Sequence, residues 1–501
     1  MNRQPTRAAQ ALVAALATIT AWGCGTAPGP TMAEVVPDLD ARVGHGDGAL
    51  AGAHERAWDA PDDRWDGARP LDARTAVDLA LAGNRALRRV VAEVERRRAW
   101  TQDAQLAPNP VVNVAGGIPV DMGVVPVLAM VGQQVDWLWK RDAIVGEADA
   151  QLRALLFEAA ALAVSTAAEA RSAYVATAGA IEVEALARRD VEVAERILAA
   201  TRAAFDAGDA TAAAVNEARM NAAEAQNRAM EASLDLVAQK TRLLEAMGRG
   251  ADGLGWVTAD AGARAARDAC VVTAPDAFDD DALRALVRER RLDLRAAEAR
   301  VAGAEARVAL ARLARLPGVM LGAGWERDME DDSAVMLQAQ LTVPLFNDGR
   351  FRVAAAERDL EIARLDADAT WQRAVIDARR ALERVAAAEH HEATLRGMTL
   401  ASFEGNREIL RAAVEAGDRP AVQLWRSEHQ ENHIRIQLAR AERDRALAAL
   451  GFEQALAGAR LPAMQGGGLP ALDPGGMGMS GAGGGLGPIQ TFDFASLETM
   501  Q

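Results

Sequence analysis

The stretch that decides the fold runs from Pro317 to Pro344. It begins Pro317-Gly318-Val319-Met320-Leu321-Gly322-Ala323-Gly324-Trp325, turns through the mostly polar Glu326 to Ser333, and returns through Val335 to Val343. On the return, Val335, Leu337, Ala339, Leu341 and Val343 alternate with Met336, Gln338, Gln340 and Thr342. This is a period of two, with one face wholly apolar and the other largely polar. A second, blurrier pair lies upstream: Val112, Val114, Gly116 and Ile118, then Val125, Val127, Ala129 and Val131, ending near Gln134. Pro119 and Pro126 restrict its turn. Strands of about ten residues with one apolar side fit a transmembrane barrel, lipid outside and water inside. The alternative is two hairpins packed on a soluble core. Four strands cannot close a barrel, and open edges do not persist in lipid. Several chains must then contribute: two copies give eight strands, three give twelve with room for a passage. The periodicity alone does not choose between them.

Outward from the hairpins the chain is helical. Residues 141–204 contain no Pro and only Gly146 and Gly179, and residues 352–413 only Gly397 and Gly405. Each would span roughly 95 Å as one helix. Shorter helices are expected at about 71–106 and 212–247, and again at 279–315 and 421–457. Such lengths imply coiled-coil-like packing. Small positions such as Ala159, Thr166 and Ala170, interspersed with Leu155 and Leu162, permit close approach.

The halves repeat. Leu79, Leu87 and Pro110 correspond to Leu286, Leu294 and Pro317, each 207 residues later, and Ala207-Gly208-Asp209 corresponds to Ala416-Gly417-Asp418. A period near 200 residues is a duplicated domain rather than a solenoid unit. The expected organisation is a signal segment at 1–23, a disordered tether at 24–70, a first repeat at 71–250 with strands about 109–136, a linker at 251–278, a second repeat at 279–458 with strands about 317–344, and a disordered Gly/Met-rich tail at 459–501.

Composition agrees. Of 501 residues, half are apolar, a quarter are charged and only 4% are aromatic, a profile that favours long helices. The net charge of −15 falls to −17 without Arg3 and Arg7, and no basic block offers a nucleic-acid surface. Arg3 and Arg7 precede an apolar run from Ala8 to Trp22 that ends at Ala21-Trp22-Gly23-Cys24. This has the length of a secretory signal and resembles a bacterial lipoprotein signal with Cys24 as the lipidated residue, although Ala21 stands where Leu is preferred. Cys24 and Cys270 make no disulfide framework.

Long helices, paired hairpins, duplication and export together resemble the outer-membrane efflux factors, the TolC-like family. Ala76-Val77-Asp78-Leu79-Ala80-Leu81, with Asn84 and Leu87, resembles the family's opening helix. Leu106-Ala107-Pro108-Asn109-Pro110 resembles its first strand's start, and Val343-Pro344-Leu345-Phe346-Asn347-Asp348-Gly349-Arg350 its strand-to-helix exit. Pro108-Asn109-Pro110 and Pro344-Leu345-Phe346-Asn347 lean toward the CzcC-like heavy-metal branch. The resemblance implies a homotrimer: a periplasmic helical barrel of long helices continuous with a twelve-stranded outer-membrane β-barrel, four strands per chain. It further implies a channel without chemistry or cofactor, anchored by lipid, docked to a periplasmic adaptor and an inner-membrane transporter.

In such a channel the two helical turns close the pore and meet the adaptor. Here these carry Gly208 and Asp209, and Gly417, Asp418 and Arg419. Arg419 resembles the family's gate arginine. Where TolC has two Asp residues on the next helix, this chain has Gln423 and Arg426, so a cation-binding acidic ring is not supported. Val335, Leu337, Ala339, Leu341 and Val343 are the expected lipid face. Trp137, Trp139, Trp325 and Phe346 form at most a sparse aromatic girdle. His429 and His433 are spaced to share a helix face, but no third ligand follows; both, like His390 and His391, read as solvated, and no metal site is expected. No nucleotide loop or nucleophile–base pair suggests an enzyme. The competing function is a periplasmic coiled-coil scaffold or adaptor without a pore.

Overall fold

The computed structural model describes residues 26–27, 29–43, 65–116, 127–250, 252–259, 279–327 and 333–458. The signal segment, Cys24, Cys270, the tail, and the residues Ile118 to Val125 of the first hairpin lie outside these.

Two short helices, α1 (Met32–Val35) and α2 (Leu39–Val43), precede the first repeat. That repeat comprises α3 (Ala73–Gly83), α4 (Arg85–Ala104), β1 (Val111–Gly116), β2 (Val127–Gln134), α5 (Trp137–Asp206) and α6 (Ala212–Ala246). The second comprises α7 (Asp280–Arg290), α8 (Leu292–Leu313), β3 (Gly318–Arg327), β4 (Ser333–Thr342), α9 (Arg350–Thr394), a π turn (Leu395–Leu400), α10 (Ala401–Glu415) and α11 (Ala421–Ala457).

The axis of the molecule is α5, 70 residues and so about 105 Å long. It packs against α6, α8 and α11 along its length, and against α3 and α4. Its composition would pass for a membrane span, but 67% of its apolar window is buried within the protein, as in a core helix. Ala159, Ala160, Ala161, Ala163, Ala167 and Ala170 are all buried there. Alanine costs no side-chain entropy in a helix and lets a neighbouring backbone approach closely. The small residues therefore sit at the crowded crossings, while Leu152, Leu156 and Tyr174 fill the wider gaps.

Three expectations need correction. The first short helix of each repeat is two helices, not one. Asn84 is extended, ends α3 and accepts a hydrogen bond from the Leu87 amide to cap α4. Arg291 breaks α7 from α8 with the same backbone conformation, its guanidinium held by Asp293 at 2.6 and 2.9 Å and by the Ala455 carbonyl at 2.6 Å. The second long helix is likewise interrupted, by the π turn around Gly397, and α10 beyond it buries none of its residues. An extra residue in one turn rotates the apolar phase of everything that follows.

The third correction concerns the tether. Residues 29–43 and 65–70, expected to be disordered, are docked. Thr31 and Glu34 form a reciprocal capping box, and Val36, Leu39 and Val43 are buried against Val77, Ala80, Ala160 and Ala163. Val36 ends α1 in a non-helical conformation and Leu39 and Val43 lie one turn apart on α2, and all three reach the same apolar cluster from a segment whose overall composition is Gly, Pro and Asp. Arg42 donates from this segment to the Arg290 carbonyl, and Arg171 of α5 donates to the Val43 carbonyl. Trp65 packs edge-on against Trp256, with centroids 5.6 Å apart. Lys240 donates to the Leu254 and Trp256 carbonyls, and burial pushes its ammonium below the usual lysine range.

Tyr174, the chain's single tyrosine, pins this corner. Its hydroxyl donates to the Leu71 carbonyl at 3.1 Å and lies 3.3 Å from that of Ala259, across the parallel bridge between Leu71 and Thr258. Tyr174→Phe is expected to lower stability by about 1 kcal/mol, the usual net worth of one buried hydrogen bond. The loss should appear as faster amide exchange at residues 69–73 and 256–259, with the far end of α5 unchanged.

Candidate functional site

The four strands form one antiparallel sheet in the order β1-β2-β3-β4. Its register settles which side chains share a face. Val112 lies opposite Val131, Val131 opposite Ala323, and Ala323 opposite Leu337. Likewise Val114, Ala129, Trp325 and Val335 form a cross-strand row. The two separately read alternations thus merge into one apolar face. The opposite face is mixed: Asn113, Gln134, Glu326, Gln338 and Gln340 share it with Gly132, Gly322 and Gly324 and with Leu128, Met130, Met320 and Met336. β1 and β4 are exposed along their whole length, and Leu337 is 84% exposed. Leu337, Ala339 and Leu341 fall within β4, as does Val335; Val343 follows its end and is also exposed.

Ten residues rise about 33 Å as a strand, or about 23 Å when tilted by 45°, close to the apolar height of an outer-membrane barrel. Trp325 lies toward the hairpin end of β3, while Trp139 and Phe346 lie at the helical end and are exposed. Trp137 is instead half-buried with Arg141 over its ring.

At the far end of the helices, the two matching turns have identical backbone logic. Gly208 and Gly417 have φ of +85° and +80°. The Asp209 amide donates to Ala204 at 2.8 Å and the Asp418 amide to Ala413 at 2.9 Å. Each is a Schellman closure in which only glycine sits without strain at the left-handed residue. The reversal then restarts with Thr211 capping α6 and Pro420 opening α11. Asp209, Asp418 and Arg419 are exposed; Arg419 reaches Gln423 at 3.4 Å, and Arg426 is exposed without an ion pair to another described residue.

Two polar groups behind the second turn were not anticipated. Asp190 on α5 is buried, and its carboxylate meets His429 of α11 at 2.7 Å and Arg228 of α6 at 3.2 Å. His429 is therefore not on a solvated face. Glu431 is buried too, holding Arg407 at 2.9 Å and Arg435 at 2.6 Å. Near the π turn, Arg396 bridges Glu392 at 2.8 Å and Glu442 at 2.5 Å, and the Glu392 bond holds its guanidinium above the usual arginine range. The signal for the buried acids was present: Asp190 continues the stripe Val183, Ala187, Ala194, Ile197, and Glu431 lies between buried Ser427 and Leu438. A carboxylate in phase with an apolar stripe must find a partner inside. Among the described residues, no group of three His, Cys, Asp or Glu could hold a metal ion.

Residues 283–458 match the family model for outer membrane efflux protein. A search of the curated proteins finds no match. Among solved structures, the chain is similar to CusC, with a TM-score of 0.61 and 16% identity over 78% of this chain and 92% of that one. It is similar to VceC of Vibrio cholerae, with a TM-score of 0.59 and 16% identity over 77% and 96%. A third is MtrE of Neisseria gonorrhoeae, with a TM-score of 0.58 and 17% identity over 77% and 89%. The first repeat lies outside the family match but has the same order of elements. The resemblance read from the sequence is thus supported twice, by family over the second repeat and by fold over both. Residues 283–458 thus match the outer membrane efflux protein family, and the chain as a whole has a fold similar to those of CusC, VceC and MtrE.

Proposed function

We propose that this chain is the exit duct of a multi-component exporter, passive in itself, assembled as a homotrimer, and docked by its helical turns to a periplasmic adaptor and an inner-membrane transporter. The observation that carries the reading is the open four-stranded sheet with one apolar face and two unpaired edges, joined to a helix of about 105 Å. In lipid those edges must pair with other copies. Three copies make twelve strands, wide enough for a passage, whereas eight would be filled by side chains. The helices also carry uncovered apolar stripes: Met230, Leu234 and Val237 on α6, and Ile362, Leu365 and Ile376 on α9. A second copy laid alongside would cover them. VceC is an outer membrane protein and MtrE an outer membrane channel, both of similar fold.

In this reading, Val335, Leu337, Ala339, Leu341 and Val343 face lipid. Gly208, Asp209, Gly417, Asp418 and Arg419, with Gln423 and Arg426 behind them, form the gate and adaptor contact, and Cys24 carries the N-terminal lipid. Arginine in place of an acid at 426 makes the tunnel mouth less selective for cations than two acidic rings would. The competing reading, a pore-less periplasmic scaffold, leaves the apolar sheet face unexplained.

Aspartate on each strand face separates the two. Leu337→Asp and Leu341→Asp place a charge in lipid at a cost on the order of 2 kcal/mol per site, repeated in each copy. They are expected to abolish outer-membrane assembly, whereas Gln338→Asp and Gln340→Asp leave it intact; equal tolerance of both pairs argues for the scaffold. Native mass spectrometry of detergent-extracted protein is expected to give a trimer with a lipid increment on each chain, and a soluble monomer or dimer would support the scaffold. Arg419→Glu should raise single-channel conductance in a planar bilayer; unchanged conductance removes Arg419 from the gate.

A further inference from the structure

Side by side, the helices repeat the order of the strands. Toward the sheet they run α4, α5, α8, α9, and toward the two turns α6, α5, α11, α10. β1 follows α4 and β4 leads into α9, so each open edge of the sheet continues into an open edge of the helical layer. One such edge is α4 with α6, and the other is α9 with α10.

The second edge carries a regular pattern. Leu365, Ile376, Met398 and Ile409 are 48% to 73% exposed, and with the exposed Ala387 they recur every 11 residues. That spacing is about three helical turns, so these residues form a line along one side of the edge, about 66 Å long. In an unbroken α-helix the line would drift. At about 100° per residue, Ile409 would stand about 80° round from Leu365. The π turn at Leu395–Leu400 takes up an extra residue, which subtracts about 100° and leaves Ile409 about 20° from Leu365. A long exposed apolar line marks an interaction surface.

We propose that the α9–α10 line is the seat for the α4–α6 edge of a second copy of this chain, and that the π turn keeps this seat straight. The seam rests on the duct reading, in which copies are related by rotation about an axis parallel to the helices and so sit at equal heights. Ion pairs across the layer give the residues that are level on its two edges. Asp235 of α6 is 3.6 Å from Arg443 of α11, and the adjacent Glu442 is 2.5 Å from Arg396 in the π turn, which sets Leu234 level with Met398. Arg228 of α6 and His429 of α11 share Asp190, and Glu431 holds Arg407 of α10, which sets Met230 level with Ile409. Nearer the sheet, Thr101 of α4 and Arg307 of α8 contact α5 at Ala148 and Glu147, and Arg307 is 3.9 Å from Asp359 of α9. The exposed Trp100 is therefore level with Ile362. At all three heights an exposed apolar residue on one edge has an exposed apolar counterpart on the other. Charge agrees. α4 carries six arginines and three acids, whereas the stretch of α9 level with it, 357–376, carries three arginines and five acids. Two α4 edges laid together would set arginine against arginine, so unlike edges meet and the contact is head-to-tail.

Cysteine pairs in the full-length protein, on a Cys270→Ser parent and treated in membranes with a short bismaleimide, test the seam. Leu234→Cys with Met398→Cys is expected to give covalent dimers and trimers. The parent, either single variant, and Met220→Cys with Met398→Cys, mismatched by about 21 Å, are expected to stay unlinked. Deleting Gly397 turns α10 by about 100°. It should abolish linking of Met230→Cys with Ile409→Cys, while Trp100→Cys with Ile362→Cys, on the sheet side of the π turn, still links. Equal linking of the Met230 and Ile409 positions after the deletion overturns the role of the π turn. Linking in a single variant means that like edges meet and overturns the seam. So does failure of every matched pair in protein that native mass spectrometry shows to be trimeric, and in that case the duct reading stands. A monomer overturns both. Should the deletion variant fail to assemble, the matched and mismatched pairs in the chain of natural length decide.

Discussion

Every backbone N–H and C=O in a strand edge needs a partner, and lipid supplies none. β1 and β4 present two such edges at opposite sides of one small sheet. In the proposed duct, the apolar face directs that sheet toward lipid, and its edges then require further copies of the chain. The rest of the molecule serves this constraint. Each hairpin is flanked by helices from its own repeat, so the duplication delivers two hairpins side by side, and the pairing of β2 with β3 welds the halves together.

The helical part answers a different demand, length with a narrow cross-section. α5 meets it with alanine at the crossings and with three long partners around it. The second repeat departs from this uniformity. Its long helix is interrupted by the π turn, and α10 beyond it relies on charge pairs more than on apolar contact: Glu404 reaches Arg435 at 3.2 Å, and Arg407 reaches Glu431. The second turn thus stands on a leg held by ion pairs, whereas α5 leads to the first turn with buried Val193 and Ile197 behind it. The duplicated sequence has been used for two mechanically different hairpins.

Much of this was legible in the residues. The alternation from Val335 to Val343, the absence of proline from 141–204 and the offset between Gly208 and Gly417 each specify a local geometry, because period, breaker and left-handed turn are properties of neighbours in the chain. Asn84 was read as part of an opening helix, and its capping role follows from a backbone conformation that composition does not reveal. Val36, Leu39 and Val43 were overlooked because their two helices are only four and five residues long and surrounded by turn-forming residues. His429 was read as solvated because its partner lies 239 positions away.

By itself, then, the sequence determined the elements, the duplication, the apolar strand faces and the glycine turns, since all of these depend on interactions within a few residues. The tertiary structure alone decided that both hairpins share one sheet and one apolar face, that the N-terminal segment docks on α5, and that Asp190, His429 and Arg228 converge from three helices. Those outcomes rest on the register between distant segments, where burial forces polar groups to find partners that no local pattern names.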